Sequence, residues 1–239
     1  MAGNYKLTYN VDMVFCIDCT ESMDNVLNIV KERALSLYTD VQDTMRSKGK
    51  EIDTLRIRLV AFRDYLAFDE ELKKKTYCNQ PMLVTDFFTL PDEARKLEIC
   101  VKSLKPVGGG DPEEDGLEAL AYAIRSDWTT SGSKDRHIIV IWSDQAPHKI
   151  GFCKNASLYP KGMAQNMEEL TEWWGDKYAP GYMPEQAAKR LILFAPNEGG
   201  WAYISDNWDN VLHVVSKVGD HLSSVDYQMI LSSIAQTIA

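Results

Sequence analysis

Three side chains with oxygen donors alternate where an apolar run ends near the start of the chain. The run Met13–Ile17 stops at Asp18, and Thr20 and Ser22 follow at two-residue spacing. A carboxylate and two hydroxyls are hard oxygen ligands of the kind that Mg²⁺ and similar divalent cations prefer. A simpler interpretation is that Ser22 caps a helix and Thr20 forms a local turn. Capping alone does not require the acid at position 18, so we favour a cation site.

Two further acids occupy positions from which they would complete such a site. Asp144 follows the apolar run His137–Trp142, and Asp111 ends the glycine-rich segment Gly108–Gly110. Loops at the carboxyl ends of parallel strands share one edge of a sheet, so residues far apart in sequence meet there. The predicted metal ligands are therefore Asp18, Thr20, Ser22, Asp111 and Asp144.

The apolar pattern around these residues alternates between buried strands and amphipathic helices. It predicts strands at Met13–Ile17, Leu55–Phe62, Met82–Thr89, His137–Trp142, Leu191–Phe194 and Val211–Val215. It predicts helices at Met23–Met45, Pro91–Leu104, Asp111–Ile124, Met163–Trp174 and Val225–Ile238. Such alternation is typical of a three-layer α/β/α, doubly wound fold with a mostly parallel sheet. Met82–Thr89, which follows Pro81, is predicted to be an antiparallel edge strand. With no Pro/Gly/Ser-rich linker, we expect a single domain over residues 1–239.

The three motifs together resemble the von Willebrand factor type A (VWA) domain and its metal ion-dependent adhesion site (MIDAS). They are Asp18-x-Thr20-x-Ser22, the Gly-Gly-Gly-Asp loop ending at Asp111, and Trp142-Ser143-Asp144, in that order. The resemblance covers roughly Val11–Ile238 and implies a Rossmann-like fold. It also implies that the two hydroxyls bind the ion directly and that Asp18 and Asp144 often act through water. An open coordination position would then accept a carboxylate from a partner protein.

Asp111 is a departure from the adhesive members of the family, which often carry a threonine in the glycine-rich loop. A carboxylate bound directly would reduce the attraction of the ion for an incoming acid. Asp111 is equally well placed as a helix cap, with Pro112 as the first helical residue and Glu114 completing a capping box. Both roles remain open at this stage.

The composition narrows the classes of partner. The formal net charge is −9, and an acidic surface repels the phosphates of nucleic acids. No run of about 18 apolar residues is present, so we predict no membrane partner. The five cysteines are an odd number, and only Cys16 and Cys19 have CxxC spacing. This usage favours reduced thiols and a cytoplasmic location.

The functional prediction is a non-catalytic, metal-dependent protein-interaction module that acts as an intracellular adaptor and binds Mg²⁺, or Mn²⁺ or Ca²⁺. The segment Ser143–His148 resembles the "DAPxH" continuation of intracellular, often kinase-associated members. By that analogy the partner belongs to a kinase, phosphatase or AAA ATPase system. The alternative is a Mg²⁺-dependent hydrolase or phosphotransferase with Asp18 as nucleophile. Such enzymes usually carry a second acid two residues later, where this chain has Thr20.

Several other residues have two interpretations each. Arg63 and Asp64 either steady the ligand loop or form a local salt bridge. His148 is a candidate for an additional ligand or a catalytic group, whereas His137, His213 and His221 belong to no recognisable constellation. Two segments are rich in aromatic residues and either bind a partner or cover the sheet. These segments are Trp173–Tyr182 and Gly200–Tyr203, the latter with Trp208 nearby.

Overall fold

The computed structural model describes residues 8–33, 36–74, 80–107, 113–130 and 134–238. Over these ranges the chain forms seven strands, eight α-helices and one 3-10 turn, Glu21–Met23. The strands are β1 Thr8–Asp18, β2 Glu51–Phe62, β3 Met82–Val84, β4 Phe88–Leu90, β5 Asp135–Trp142, β6 Lys189–Pro196 and β7 Val211–Ser216. The helices are α1 Asp24–Arg33, α2 Leu37–Ser47, α3 Tyr65–Lys74, α4 Ala94–Ser103, α5 Gly116–Ile124, α6 Met167–Trp174, α7 Gly199–Asn207 and α8 Tyr227–Ile238.

All seven strands belong to one sheet, in the order β3-β2-β1-β5-β6-β7, with β4 also paired to β2. The pairs β1–β2, β1–β5, β5–β6 and β6–β7 are parallel, and β3 and β4 are antiparallel to β2. The predicted fold class is therefore confirmed. From β1 the chain continues to β2 on one side of the sheet, and from β5 it continues to β6 on the other side. This reversal creates a crevice at the carboxyl ends of β1 and β5, the usual ligand position in such sheets.

Helices cover both faces of the sheet, and the residues of β1 point alternately into the two layers. Met13, Phe15 and Ile17 belong to one apolar core with residues of α1, α2, α4 and α8. Val14 and Cys16 belong to a second core with residues of α5, α6 and α7. Because both faces are buried, β1 is a continuous apolar run instead of an alternating one.

The antiparallel edge predicted at Met82–Thr89 is present, but in two pieces. β3 pairs with residues 60–62 and β4 pairs with residues 55–57. Between them Thr85 binds Leu59 twice, since Thr85 N donates to Leu59 O at 3.0 Å and Leu59 N donates to Thr85 Oγ1 at 3.0 Å. The Thr85 hydroxyl replaces a backbone carbonyl in the ladder, which interrupts the strand.

Three helix predictions are wrong in their bounds, and one of them, Met163–Trp174, begins only at Met167. The predicted helix Met23–Met45 is divided into α1 and α2, with residues 34–35 outside the described ranges. The predicted helix Asp111–Ile124 begins only at Gly116. Glu114 precedes this helix and forms an isolated parallel bridge with Pro147, so it is not the third residue of the helix. Asp111 lies outside the described residues.

Two helices were not predicted. Asp64 begins α3, because its Oδ1 atom accepts hydrogen bonds from Leu66 N at 2.6 Å and Ala67 N at 3.1 Å. The aromatic segment Gly200–Tyr203 belongs to the second unpredicted helix, α7, and Trp201 on this helix is fully buried. Among the helices of the described chain, none is both long and apolar enough to cross a membrane.

Candidate metal centre

The first three predicted ligands form one hydrogen-bonded loop at the end of β1. Asp18 Oδ1 accepts hydrogen bonds from Thr20 Oγ1 at 2.6 Å and from Thr20 N at 2.9 Å. Thr20 Oγ1 lies 3.2 Å from Ser22 Oγ. Thr20 precedes the 3-10 turn but its side chain makes no capping hydrogen bond. The hydroxyl of Thr20 is directed to the Asp18 carboxylate. Ser22, the residue considered as a helix cap, lies inside the 3-10 turn and does not precede it.

Asp144 joins this loop from the end of β5. Ser22 Oγ donates to Asp144 Oδ1 at 2.9 Å, and Ser143 Oγ donates to Asp18 Oδ2 at 3.0 Å. The register explains the meeting, because Ile17 and Trp142 are paired in the sheet and the next residues leave the strands side by side. The structure thus brings together Asp18, Thr20, Ser22 and Asp144, while Asp111 is not among the described residues.

The two carboxylates are buried close together. Asp18 and Asp144 both have 0% exposed surface. Burial raises the pKa of Asp18 to about 6; the hydrogen bonds from Thr20 oppose this rise, and the charge of Asp144 adds to it. Asp144 Oδ2 accepts no hydrogen bond from any described residue, although His221 Nδ1 lies 3.3 Å away. Ionised carboxylates in this situation are costly unless a cation compensates them. Two carboxylates and two hydroxyls fit a hard divalent cation.

His221 is a site residue that the sequence analysis missed, and the prediction that it belongs to no constellation is wrong. Its Nδ1 atom lies 3.3 Å from Asp144 Oδ2 and 3.0 Å from Ser22 O, while 60% of its side chain is exposed. Nearby, Gly219 N donates to Asp144 O at 2.8 Å. The loop after β7 therefore reaches the rim of the site. No local sequence pattern marks this contact, because it depends on the path of the loop.

Arg63 fixes the segment that leads towards the glycine-rich loop. Its guanidinium donates to the carbonyls of Lys105 at 2.7 Å, Gln80 at 3.0 Å and Val107 at 3.1 Å. Val107 N in turn donates to Cys19 O at 3.0 Å. These contacts support the hypothesis that Arg63 steadies the ligand loop. The guanidinium makes these bonds to carbonyls in place of the predicted local salt bridge.

A second cluster of ligand-type side chains contains Asp64, His148 and Cys153, all buried. His148 Nε2 lies 3.8 Å from Asp64 Oδ2, and the Cys153 thiol donates to Asp64 Oδ1 at 3.9 Å. One ligand atom from each residue lies within 4.8 Å of the other two. From its position four residues after Asp144, His148 is a candidate for an additional ligand of the first site. Its contacts with Asp64 and, at 3.3 Å, with Glu113 place it in this second cluster.

Two more buried acids adjoin that cluster. Asp115 Oδ2 accepts a hydrogen bond from Tyr65 N at 2.7 Å. Glu118 Oε1 accepts from Gly151 N at 2.9 Å and from Tyr159 Oη at 2.8 Å. Burial, and next the charge of Glu118, raise the pKa of Asp115 to about 7. The other oxygen of each carboxylate accepts no hydrogen bond within the described part of the chain.

The aromatic segments mostly cover the sheet. Trp173, Trp174, Trp201 and Trp208 are buried, whereas Tyr178, Tyr182 and Tyr203 are exposed. The side chains of Trp174 and Trp208 stack with ring centroids 5.2 Å apart. The tryptophans therefore serve the core, and only the tyrosines are available to a partner. The cysteines of the described ranges, Cys16, Cys19, Cys100 and Cys153, are all free thiols.

No protein-family model matches the chain, and no curated protein matches its sequence. Solved structures match it at low identity. The pilus adhesin SpaC from Lactobacillus rhamnosus GG aligns over 98% of this chain and 30% of its own, with 12% identity and a TM-score of 0.47. The vWF domain of the type V pili tip protein Mfa5 from Porphyromonas gingivalis aligns over 58% and 38%, with 20% identity and a TM-score of 0.34. Proximal thread matrix protein 1 from the mussel byssus, with a zinc-occupied MIDAS motif, aligns over 95% and 49%, with 12% identity and a TM-score of 0.43.

The names of two of these neighbours refer to the domain and the motif that the sequence resembles. One contains a vWF domain and another a MIDAS motif. The chain spans between 30% and 49% of the length of the three proteins. All three TM-scores lie below 0.5, and the candidate site is defined by the contacts within this chain. The cytoplasmic location stays a prediction.

Proposed function

We propose that the chain is a metal-dependent protein-interaction module, acting as an intracellular adaptor. Its ion is Mg²⁺, or Mn²⁺ or Ca²⁺, held by Asp18, Thr20, Ser22 and Asp144, with Asp111 as a further candidate. The observation that carries the proposal is the pair of fully buried carboxylates bridged by two hydroxyls, with one oxygen of Asp144 accepting no hydrogen bond from the described residues. A divalent cation compensates the charge of the two buried carboxylates, whereas apolar neighbours would leave that charge uncompensated.

The directions of the hydrogen bonds favour metal binding by the hydroxyls. Thr20 Oγ1 donates its proton to Asp18 Oδ1, and Ser22 Oγ donates to Asp144 Oδ1. The lone pairs of both hydroxyl oxygens are then available to a cation. The two carboxylates attract the cation by their charge but contact it only through the hydroxyls. A cation held in this way keeps a strong attraction for one more anionic ligand.

We propose that this ligand is a carboxylate on a partner protein. The net charge of −9 gives this chain no general attraction for an acidic partner. The attraction would therefore depend on the ion, and chelation should abolish it. A kinase, phosphatase or AAA ATPase system as the source of the partner rests on the resemblance of Ser143–His148 alone. The same net charge argues against nucleic acid and anionic membranes as partners.

The test is a pull-down from a lysate with wild-type chain in Mg²⁺, beside the same experiment in EDTA. The Asp18→Ala/Ser22→Ala double variant should lose the proteins that EDTA releases. A matched control is Asp43→Ala/Ser47→Ala, which removes the same side-chain types from exposed positions on α2. Thermal denaturation with and without Mg²⁺ checks binding of the ion separately. Proteins retained equally by wild type and the double variant would contradict the proposal.

The hydrolase alternative is supported less well by the surroundings of Asp18. Its Oδ1 atom already accepts two hydrogen bonds from Thr20, and its Oδ2 atom accepts one from Ser143. A nucleophile needs an oxygen that reaches the substrate, and Asp18 has no exposed surface. The guanidinium of Arg63 is occupied by three carbonyls and does not reach out to a phosphate. Mg²⁺-dependent hydrolysis of a generic phosphoester that disappears in Asp18→Asn would favour the enzyme instead.

A further inference from the structure

We propose that Asp64, His148 and Cys153 form a second metal site, which takes a Zn²⁺-type ion. The three residues supply one oxygen, one nitrogen and one sulfur ligand, all from buried side chains. Sulfur and nitrogen ligands select zinc and similar borderline metals over Mg²⁺ or Ca²⁺. This proposal is independent of the proposed function, which concerns the all-oxygen site at Asp18.

The distances are close to those of a tetrahedral zinc site. Ligands at roughly 2.0–2.3 Å from a tetrahedral Zn²⁺ lie about 3.3–3.7 Å from one another. The separations here are 3.8 Å from His148 Nε2 to Asp64 Oδ2 and 3.9 Å from Cys153 Sγ to Asp64 Oδ1. These two distances end on different oxygens of Asp64, and one ligand atom from each residue lies within 4.8 Å of the other two. The three atoms therefore approach one another by up to about 1 Å on binding the ion.

Asp115 provides a second, separate observation. Its carboxylate has 0% exposed surface, and its Oδ1 atom accepts no hydrogen bond from the described residues. The carboxylate is close enough to Cys153 to help raise the pKa of that thiol, after the larger effect of burial. This carboxylate lies outside the group of three ligand atoms, so it supplies a fourth ligand if it moves towards the ion. With Asp64 and Glu118 also present, the cluster holds three acids, and a divalent cation offsets part of their charge.

His148 is held in an orientation that suits a metal ligand. Its Nδ1 atom lies 3.3 Å from Glu113 Oε2, while Nε2 faces Asp64. A carboxylate on one ring nitrogen orients the other towards a metal and raises its basicity. The imidazole also stacks on Phe152, with ring centroids 4.5 Å apart. His148 and Glu113 line a cavity of about 480 Å³ that provides a route for an ion to enter.

The site would connect the loops around the candidate metal centre. Asp64 follows β2 and caps α3, while His148 and Cys153 follow β5 beyond Asp144. A metal shared by both segments would hold the start of α3 against the chain that leaves β5. On binding, the Cys153 thiol transfers its proton to solvent as the metal–sulfur bond forms. We therefore assign this second ion a structural role.

The test uses the full chain, stripped of metal by a chelator and then titrated with Co²⁺ in the presence of excess Mg²⁺. Co²⁺ serves as the probe because a bound thiolate gives it a sulfur-to-metal charge-transfer absorption. We expect this absorption to saturate at one Co²⁺ per chain and Zn²⁺ to displace it. Cys153→Ser and His148→Asn should each lower the affinity for Co²⁺ more than about 100-fold, because they remove a ligand. Glu113→Gln leaves the ligands in place and should lower the affinity about 10- to 100-fold.

Two control variants establish whether the absorption comes from Cys153. Cys100→Ala removes a free thiol on α4 and should keep the full absorption. Thr20→Ala/Ser22→Ala disrupts only the first site and should also keep it. Circular dichroism of each variant shows whether it is folded. Absence of a thiolate absorption from the folded wild-type chain overturns the proposal, as does an absorption that persists in Cys153→Ser.

Discussion

The hydroxyl of Ser22 donates a 2.9 Å hydrogen bond to Asp144 Oδ1, across 122 positions of sequence. This bond joins the loop after β1 to the loop after β5 at the point where the winding of the sheet reverses. The carboxylates on either side have no exposed surface, and a bridge of two hydroxyls separates them. The site is thus assembled by two loops. Removal of one hydroxyl should therefore disturb the positions of both loops.

Ser22→Ala should weaken binding of Mg²⁺ and also lower the stability of the metal-free protein. The metal loses a direct ligand, and Asp144 Oδ1 loses its donor, which costs about 1–3 kcal/mol for a buried acceptor. Thermal and urea denaturation, each with Mg²⁺ and with EDTA, separate the two effects. Ser47→Ala, at an exposed position on α2, should change neither. An unchanged response of Ser22→Ala to Mg²⁺ would exclude Ser22 as a ligand.

The stability of the metal-free protein should depend on the ionisation of Asp18. Burial raises its pKa from 3.8 to about 6, so the folded protein binds this proton more tightly than the unfolded chain. The contribution of Asp18 to stability is therefore full below pH 4 and is lost as the pH rises through about 6. The loss amounts to about 3 kcal/mol for a shift of this size.

This pH dependence is measured by urea denaturation in EDTA between pH 4 and 7.5, for wild type and Asp18→Asn. Other buried acids titrate in both proteins, so the difference between the two curves isolates Asp18. We expect the wild type to lose stability relative to Asp18→Asn as the pH rises. A constant difference across the range would show that the carboxylate does not titrate in this way.

Arg63→Lys should destabilise the protein and weaken metal binding together. A lysine ammonium lacks the planar fork that donates to Lys105 O, Gln80 O and Val107 O at once. The loss of one or two of these bonds costs about 2–4 kcal/mol. The segment before the glycine-rich loop is then less well fixed beside Cys19. Isothermal titration with Mn²⁺ and urea denaturation measure both effects. Arg95→Lys, an exposed substitution on α4, should be close to neutral.

Gly116→Ala should destabilise the protein through a steric clash at the start of α5. A Cβ atom at position 116 would lie 2.6 Å from Trp201 Cζ2 and 3.4 Å from Phe62 Cε2. Overpacking of this kind costs about 1–3 kcal/mol. Urea denaturation measures the cost. The smaller ring in Gly116→Ala/Trp201→Phe should relieve part of it, so that the two substitutions are less than additive. Strict additivity would show that the clash is relieved elsewhere.

The sequence by itself determined the class of fold and most of the first site. Every predicted strand is present, although the edge strand Met82–Thr89 is divided in two. The strands buried on both faces were predictable because they are unbroken apolar runs that stand out from the helices between them. Asp18, Thr20 and Ser22 were predicted from their spacing, and Asp144 from its place after the buried strand β5. Local patterns were sufficient here, because each residue is marked by the element that it follows.

Only the tertiary structure decided which groups from separate loops meet. Asp64, His148 and Cys153 belong to two loops, and His221 belongs to a third, so no spacing in the sequence marks their contacts. The ring of Trp201 packs against Gly116 at the start of α5, a contact between distant residues that no local signal reveals. Contacts of this kind depend on the order of strands in the sheet and on the paths of the loops, which chain-wide packing fixes and local sequence does not.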